Sequence, residues 1–157
     1  MNWKTQGDFL INGDIVVSDS PEETFSLGQR IAELLSPGSV IALKGALGSG
    51  KTCLAKGIAR GIGVTDNITS PTYTIINEYH TNDIKYPVLY HIDAYRLNDD
   101  KDFEDIGGTE VINSGRISII EWSERIPKSL PDNAIIVSFE ITGPTSRLIQ
   151  VTGLALA

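Results

Sequence analysis

The sequence predicts an α/β fold in which a mainly parallel sheet carries helices on both faces and antiparallel strands at its edges. Near-continuous apolar strands alternate with amphipathic helices, a pattern typical of parallel sheets that are covered on both sides. A glycine-rich loop joins one of these strands to the next helix. Near the carboxyl end, residues 135–141 and 148–151 flank Gly143 and Pro144, which predicts an antiparallel hairpin.

The elements before the glycine-rich loop can be predicted from local signals. Residues 7–18 contain two apolar stretches around an Asn-Gly pair, which predict an edge hairpin or a bent strand. Ser20 is suited to cap the following helix, Pro21 to occupy its first position and Glu23 to complete a capping box. We expect this helix to continue until Pro37.

Three predicted strands lead directly to polar groups. Residues 39–43 predict the strand before the glycine-rich loop, and residues 52–60 predict the helix after it. Residues 88–93 and 117–121 predict two strands that each end in an acid, with a short acidic helix over 99–106 between them. Because ligands gather at the carboxyl ends of strands in an open parallel sheet, we expect one site at this edge.

The composition sets limits on the class of protein. The chain has 157 residues, and we expect a single domain over 1–157. No apolar run approaches the length of a membrane span, and the amino end lacks a signal-peptide pattern. With one cysteine, we expect a cytoplasmic protein without an internal disulfide. A net charge of −7 argues against a chain that grips a nucleic-acid backbone by itself.

The run Gly45–Thr52 fits the phosphate-binding pattern G-x-x-x-x-G-K-[ST]. Its glycines allow backbone N–H groups to surround phosphate oxygens, Lys51 would reach the β- and γ-phosphates, and Thr52 would ligate Mg²⁺. The strand before it and the helix after it favour a nucleotide site over an ordinary glycine turn. The motif therefore predicts a three-layer P-loop NTPase fold that binds a nucleoside triphosphate. The predicted nucleotide-binding residues are Leu47, Gly48, Ser49, Gly50, Lys51, Thr52 and Cys53.

Two acids stand where an Mg²⁺–phosphate site requires them. Asp93 and Glu121 each end a predicted strand, and carboxylates offset the charge of Mg²⁺. We predict catalytic roles for Lys51, Asp93 and Glu121, against the alternative of solvated acids at strand ends. Which acid meets the metal directly stays open. His91 shares a strand face with Asp93 and is a candidate supporting residue.

Four further features each have two interpretations. Arg96 either approaches the γ-phosphate or is a surface arginine paired with an acid. Residues 70–74, Ser-Pro-Thr-Tyr-Thr, form either a loop that senses the γ-phosphate or an ordinary proline turn. Trp122 belongs either to the core or to an interface. For Cys53, a packed thiol is favoured over a reactive one.

Taken together and in this order, these motifs resemble the TsaE (YjeE) family of small bacterial P-loop ATPases. The elements are the phosphate-binding loop, Ser-Pro-Thr-Tyr-Thr at 70–74, His-x-Asp-x-Tyr-Arg at 91–96 and Glu-Trp at 121–122. The resemblance covers roughly residues 20–150, so that 20–151 is the expected family core and 1–18 an extension. It implies that Thr52 and Glu121 are the Mg²⁺ ligands, and that the segment from Pro21 to Thr24 lies near the adenine.

The resemblance also implies a function. The family acts in threonylcarbamoyladenosine modification of tRNAs that read codons beginning with A. Its ATPase binds a heterodimer of the threonylcarbamoyl transferase and an inactive paralogue of it, and ATP hydrolysis resets that complex. The chain would then meet tRNA only indirectly, and no membrane is involved. The chain departs from the family at two positions: within the loop, Ala46 replaces the usual Asp, and directly after it, Cys53 replaces a second Thr.

Two other functions are compatible with a phosphate-binding loop. The first is a small P-loop kinase that phosphorylates a metabolite, although such kinases usually carry an arginine-bearing lid and the arginines here are scattered. The second is a nucleotide-gated binding module without turnover. Phosphate transfer to a small acceptor would favour the kinase, and phosphate release that depends on Lys51 or Glu121 would exclude the binding module.

Overall fold

The computed structural model describes residues 15–69 and 75–154. Within these ranges the chain forms one sheet of seven strands with helices on both faces. The strands are β1 (Ile15–Ser18), β2 (Val40–Lys44), β3 (Ile76–His80), β4 (Val88–Asp93), β5 (Ile117–Glu121), β6 (Ile135–Ile141) and β7 (Arg147–Thr152). The helices are α1 (Pro21–Ala32), α2 (Lys51–Gly61), α3 (Asp100–Asp105) and α4 (Gly108–Ile112), and a 3-10 turn spans Ser123–Arg125.

The sheet has parallel strands at its centre and antiparallel strands at its edges. The strand order is β1-β7-β6-β2-β5-β4-β3. Strands β6, β2, β5 and β4 are parallel, whereas β7 and β1 on one side and β3 on the other are antiparallel to their neighbours. This confirms the predicted α/β architecture and the carboxyl-terminal hairpin. The edge hairpin or bent strand predicted over 7–18 lies outside the described residues as far as position 14. Its second apolar stretch forms β1, which pairs with β7.

Two apolar layers cover the two faces of the sheet. Side chains that alternate along β2, β5 and β4, such as Ile41, Ile119 and Leu89, pack against α1 and α2. The side chains at the intervening positions of these strands, such as Ile120, point to the other face and pack around Phe103 of α3. Glu121 and Asp93 share the α1–α2 face because they lie an even number of positions from Ile119 and Leu89. The register therefore directs both acids towards α2. No helix within the two described stretches is long and apolar enough to cross a membrane.

Helix α1 begins as the sequence predicts and ends earlier. The Ser20 hydroxyl accepts a hydrogen bond from the Glu23 N–H at 3.1 Å, and Pro21 is the first helical residue. The Glu23 carboxylate accepts a hydrogen bond from the Asp19 N–H at 2.7 Å. The return bond of the capping box therefore goes to the residue before the N-cap Ser20. After Ala32 the N–H groups bond to carbonyls three residues back, which tightens the chain into a turn before Pro37.

Helix α4 has no counterpart in the sequence predictions. It has only five residues and begins after Gly107, whose φ of 83° lies in the left-handed region. Such a short helix carries too little apolar periodicity to be distinguished from a loop. It packs beside α3, which the acidic stretch 99–106 does predict.

Two glycines allow α1 and α2 to pack closely. A Cβ atom on Gly57 would overlap the backbone carbonyl of Phe25, and one on Gly28 would overlap that of Leu54. The helices approach within backbone contact because neither position carries a side chain. This contact presses α2, and the loop that precedes it, against the rest of the fold.

We expect Gly57→Ala to lower the free energy of unfolding by about 1–3 kcal/mol, because the added methyl group must push α1 and α2 apart. Lys56→Ala, an exposed change in the same helix, is the control and is expected to change stability little. Urea denaturation followed by circular dichroism measures both variants. Equal stability of the Gly57→Ala variant and the unsubstituted chain would contradict the close packing described here.

Candidate functional site

The glycine-rich loop Gly45–Thr52 crosses the carboxyl end of β2 and runs into α2. Gly45, Gly48 and Gly50 have φ values of 155°, 78° and 107°, which residues with a Cβ atom rarely adopt. Gly50 occupies the cap position of α2 and supplies no side-chain hydrogen bond to the first turn. The backbone N–H groups at the start of α2 therefore form a ready site for an anion.

The Lys51 side chain turns back and contacts the glycine-rich loop. Its Nζ donates to the carbonyl oxygens of Gly45 at 2.6 Å and Ala46 at 2.9 Å, and lies 4.1 Å from the centre of the Trp122 ring. Burial lowers the pKa of Lys51, and the nearby carboxylates of Glu121, Glu124 and Asp93 oppose that shift. The ammonium group is thus held in a partly desolvated position among acids.

The Glu121 carboxylate is bonded on both of its oxygens. Thr52 Oγ1 donates to Oε1 at 2.8 Å, and His91 Nε2 lies 2.6 Å from Oε2. Glu121 is only 3% exposed and His91 is fully buried. These contacts fix the carboxylate directly beside the end of the glycine-rich loop, and they give His91, the candidate supporting residue, a definite role in orienting Glu121.

Asp93 stands opposite Glu121 in the register of the parallel pair β4–β5. Its Oδ1 accepts a hydrogen bond from the Tyr95 N–H at 2.9 Å. Burial is the largest cause that raises the pKa of Asp93; the Tyr95 N–H opposes the shift and the charge of Glu121 adds to it. The site therefore pairs an anchored carboxylate, Glu121, with a second one that is partly desolvated.

A cavity of about 400 Å³ joins these groups. Every residue predicted to bind nucleotide or to act in catalysis lines it, and Tyr95 and Trp122 complete its described wall. A smaller cavity of about 140 Å³ lies against the loop beside Pro21, Thr24 and Cys53, where the resemblance implies the adenine. Arg96 is exposed and is not among the described residues that line either cavity. The predicted switch loop 70–74 lies outside the described residues.

Trp122 has an unusual backbone conformation directly after Glu121. Its φ of 58° and ψ of 39° make it the one non-glycine residue with positive φ in the described part of the chain. The ring packs against Tyr95, with 4.9 Å between ring centres, and against the Lys51 ammonium. The strained turn thus places an aromatic ring on the wall of the cavity, and such strain often marks functional sites.

Cys53 is a packed thiol. Its Sγ donates to the Pro21 carbonyl oxygen at 3.1 Å, and burial raises the pKa of the thiol. A raised pKa disfavours the thiolate, which is the reactive form of cysteine. Cys53 therefore joins α2 to the start of α1, in agreement with the packed-thiol interpretation.

Two contacts to the loop were missed by sequence reasoning. The Glu124 carboxylate accepts from the Gly45 N–H at 3.2 Å, and the Arg147 guanidinium donates to the carbonyl oxygens of Gly48 and Ser49. Arg147 appeared only as one of several scattered arginines, and Glu124 carried no motif. Neither has a local signal, because each is brought to the loop by a strand or turn distant in sequence.

The donor set fits Mg²⁺. Thr52 and Glu121 offer oxygen ligands at the end of the loop, as this hard cation prefers. Within residues 15–69 and 75–154, no three side chains among His, Cys, Asp and Glu form a group that could hold a metal by themselves. Mg²⁺ often takes few protein ligands and completes its shell with water and substrate phosphates. A site with one hydroxyl and one carboxylate therefore suits a metal that arrives with a nucleotide.

We expect Asp93→Asn to stabilise the fold increasingly as pH rises. Asn keeps the acceptor for the Tyr95 N–H. Since the pKa of Asp93 is raised in the folded protein, the unfolded chain ionises first as pH increases, and the native aspartate then favours unfolding. The stability that Asp93 contributes is fully present at low pH, and it is lost as pH rises through the pKa that Asp93 has in the folded protein. Melting temperatures from about pH 4 to 8 measure the difference. Asp132→Asn, at an exposed acid, is the control, and a gain that shrinks with pH would contradict this assignment.

Known proteins resemble this chain over most of its length. The profile of the family described as "TsaE: Threonylcarbamoyl adenosine biosynthesis protein TsaE" matches residues 18–149. A protein of Treponema pallidum (strain Nichols) named "tRNA threonylcarbamoyladenosine biosynthesis protein TsaE" is 41% identical over 135 residues, which cover 86% of this chain and 97% of that protein. A protein of the same name from Bacillus subtilis (strain 168) is 39% identical over 133 residues, covering 85% and 81%.

The fold also resembles a solved structure. The "Crystal structure of Bacillus subtilus YdiB" matches with a TM-score of 0.72 at 30% sequence identity. The match covers 94% of this chain and 90% of that chain. The similarity therefore extends over nearly the whole of both chains.

Proposed function

The chain belongs to the TsaE family, and from that premise we propose that it acts in threonylcarbamoyladenosine modification of tRNA as an Mg²⁺-dependent ATPase subunit with a P-loop NTPase fold. Membership of the family supports the role in threonylcarbamoyladenosine modification of tRNA. The contact of Thr52 with Glu121, held from behind by His91, is the observation that carries the ATPase assignment. It combines the last residue of a phosphate-binding loop with a fixed carboxylate, which is the arrangement that phosphoryl-transfer sites use.

Each group of residues in the site has a separate role in hydrolysis. The N–H groups of the glycine-rich loop and of the first turn of α2 hold the phosphates, and Lys51 leaves the carbonyls of Gly45 and Ala46 to neutralise phosphate charge. Thr52 and Glu121 would hold Mg²⁺, which when bound would supply positive charge that offsets the charge of the phosphates. Asp93, whose pKa burial raises, orients the attacking water and accepts its proton.

We propose that the chain works through protein partners in the cytoplasm. The resemblance implies a heterodimer of the threonylcarbamoyl transferase and its inactive paralogue, which ATP hydrolysis resets. The net charge of −7 suits a subunit that reaches tRNA only through that complex. At the mouth of the larger cavity, Leu47 is 84% exposed and Tyr95 is 53% exposed. A partner that covers these groups would sense the nucleotide beside them.

A pull-down tests this function. The purified chain is immobilised and offered the transferase pair with ATP and Mg²⁺, with ADP, and with EDTA alone. We expect association that depends on the nucleotide, and phosphate release that increases when the partners are present. Lys44→Ala, an exposed change just before the loop, is the control. Absence of any nucleotide-dependent association would overturn the proposed role in the complex.

A further inference from the structure

Arg147, the first residue of β7, reaches the outer side of the glycine-rich loop. Its Nε donates to the Ser49 carbonyl oxygen at 3.2 Å, and Nη2 donates to that of Gly48 at 3.0 Å. Its Nη1 donates to the carbonyl oxygens of Gly143 at 2.9 Å and Ser146 at 2.8 Å, within the turn between β6 and β7. One guanidinium group thus joins two successive peptides of the loop to a turn of the sheet edge.

These bonds determine the direction of two peptide groups. In a trans peptide the C=O and the N–H point to opposite sides, and the described residues contain no cis peptide. Because the Ser49 carbonyl faces Arg147, the N–H of Gly50 points away from it. The N–H of Ser49 likewise turns inward and donates to the Ala46 carbonyl at 3.1 Å. Gly48 and Gly50, which flank Ser49, have the positive φ values that this arrangement requires.

We propose that Arg147 is a positioning residue for phosphate binding: by holding the Gly48 and Ser49 carbonyls outward, it presents the Gly50 N–H to the nucleotide phosphates. This inference rests on the proposed function. The positive charge of Arg147 also polarises the peptides that it contacts, which strengthens their N–H groups as donors. The role needs the planar fork of arginine, because a lysine ammonium cannot meet all these carbonyls in one fixed geometry.

Displacement of a fluorescent ADP analogue by ADP and by adenosine tests this role. We expect Arg147→Ala to weaken ADP binding by about 10-fold or more, whereas adenosine binding changes less than about twofold. Arg147→Lys is expected to retain the fold and to lose ADP affinity to an intermediate degree. Arg116→Ala is the matched control. This exposed residue directly precedes β5, at the end of the strand away from Glu121, and the variant should bind ADP as the unsubstituted chain does. Circular dichroism and melting temperatures establish that each variant is folded.

The outcomes separate the inference from the function on which it rests. Because Arg147 also lines the smaller cavity, equal losses of ADP and adenosine affinity would show that it supports the surrounding fold or the adenine, and not the phosphates, and would overturn the inference. Unchanged ADP binding by a folded Arg147→Ala variant would also overturn it. If that variant does not fold, Arg147→Lys decides, and ADP binding equal to that of the unsubstituted chain overturns the inference. Failure of the unsubstituted chain to bind ATP or ADP would overturn the proposed function itself.

Discussion

Mg²⁺-dependent ATP hydrolysis is expected to fall by at least about 100-fold in Glu121→Ala, while ATP still binds. In the described part of the chain, the Glu121 carboxylate bonds to the side chains of Thr52 and His91, and not to the backbone N–H groups that would cradle phosphates. It accepts the hydrogen bond from Thr52 at the end of the loop. The substitution therefore removes the proposed Mg²⁺ ligand and the acceptor that orients the Thr52 hydroxyl. Binding energy from the N–H groups and from Lys51 remains.

A second variant separates chemistry from stability. Removal of the Glu121 side chain leaves His91 buried without its partner, which we expect to cost about 1–3 kcal/mol of folding free energy. Glu121→Gln keeps an acceptor for Thr52 and fills the same volume, but carries no charge. We therefore expect Gln and Ala to lose hydrolysis alike, and the Gln variant to unfold at a higher temperature than the Ala variant.

Phosphate release is measured with Mg²⁺ and with EDTA, and nucleotide affinity with a fluorescent ATP analogue. Glu104→Ala, at an exposed acid of α3, is the control for loss of a carboxylate and is expected to hydrolyse ATP at the unsubstituted rate. An unchanged rate in a folded Glu121→Ala variant would refute the assignment of Glu121 to the metal. Loss of ATP binding together with hydrolysis would show that the carboxylate organises the loop instead.

The framework of this site could be predicted because its signals are local. Strands β4 and β5 have the predicted bounds, since each is a buried apolar run that ends at an acid. Parallel neighbours bring their carboxyl ends to one edge, so Asp93 and Glu121 had to lie close to the loop once the strands were adjacent. Glycines in the loop fixed the turn before α2, because only they readily adopt the required φ values.

The contacts that orient the site could not be predicted, because they depend on which strands are neighbours. Alternation placed His91 on the face of Asp93, but its bond to Glu121 requires β5 to lie beside β4. Arg147 reaches Ser49 across 98 residues, through a hairpin whose position next to β2 no local pattern states. The left-handed conformation of Trp122 is likewise imposed by the turn after β5, since the residue type disfavours it.

ATP binding is expected to weaken by about 100-fold or more in Lys51→Ala, with little change in adenosine binding. The Lys51 ammonium already donates to two carbonyl oxygens of the loop. A phosphate that displaces those carbonyls gains charge-assisted hydrogen bonds from the same ammonium. Fluorescent nucleotide titration with ATP, ADP and adenosine measures the losses.

Lys51→Met distinguishes loss of charge from loss of packing. Methionine is close to lysine in volume, so the space beside the Trp122 ring that the Lys51 Nζ occupies stays largely filled with apolar atoms, but no donor remains for phosphate. If charge is the cause, Met and Ala lose ATP affinity equally, and the exposed change Lys44→Ala loses none. If packing against Trp122 holds the loop open, Met binds ATP far better than Ala. That second result would contradict the phosphate role of Lys51 and would make the Trp122 contact the determinant of the loop's shape.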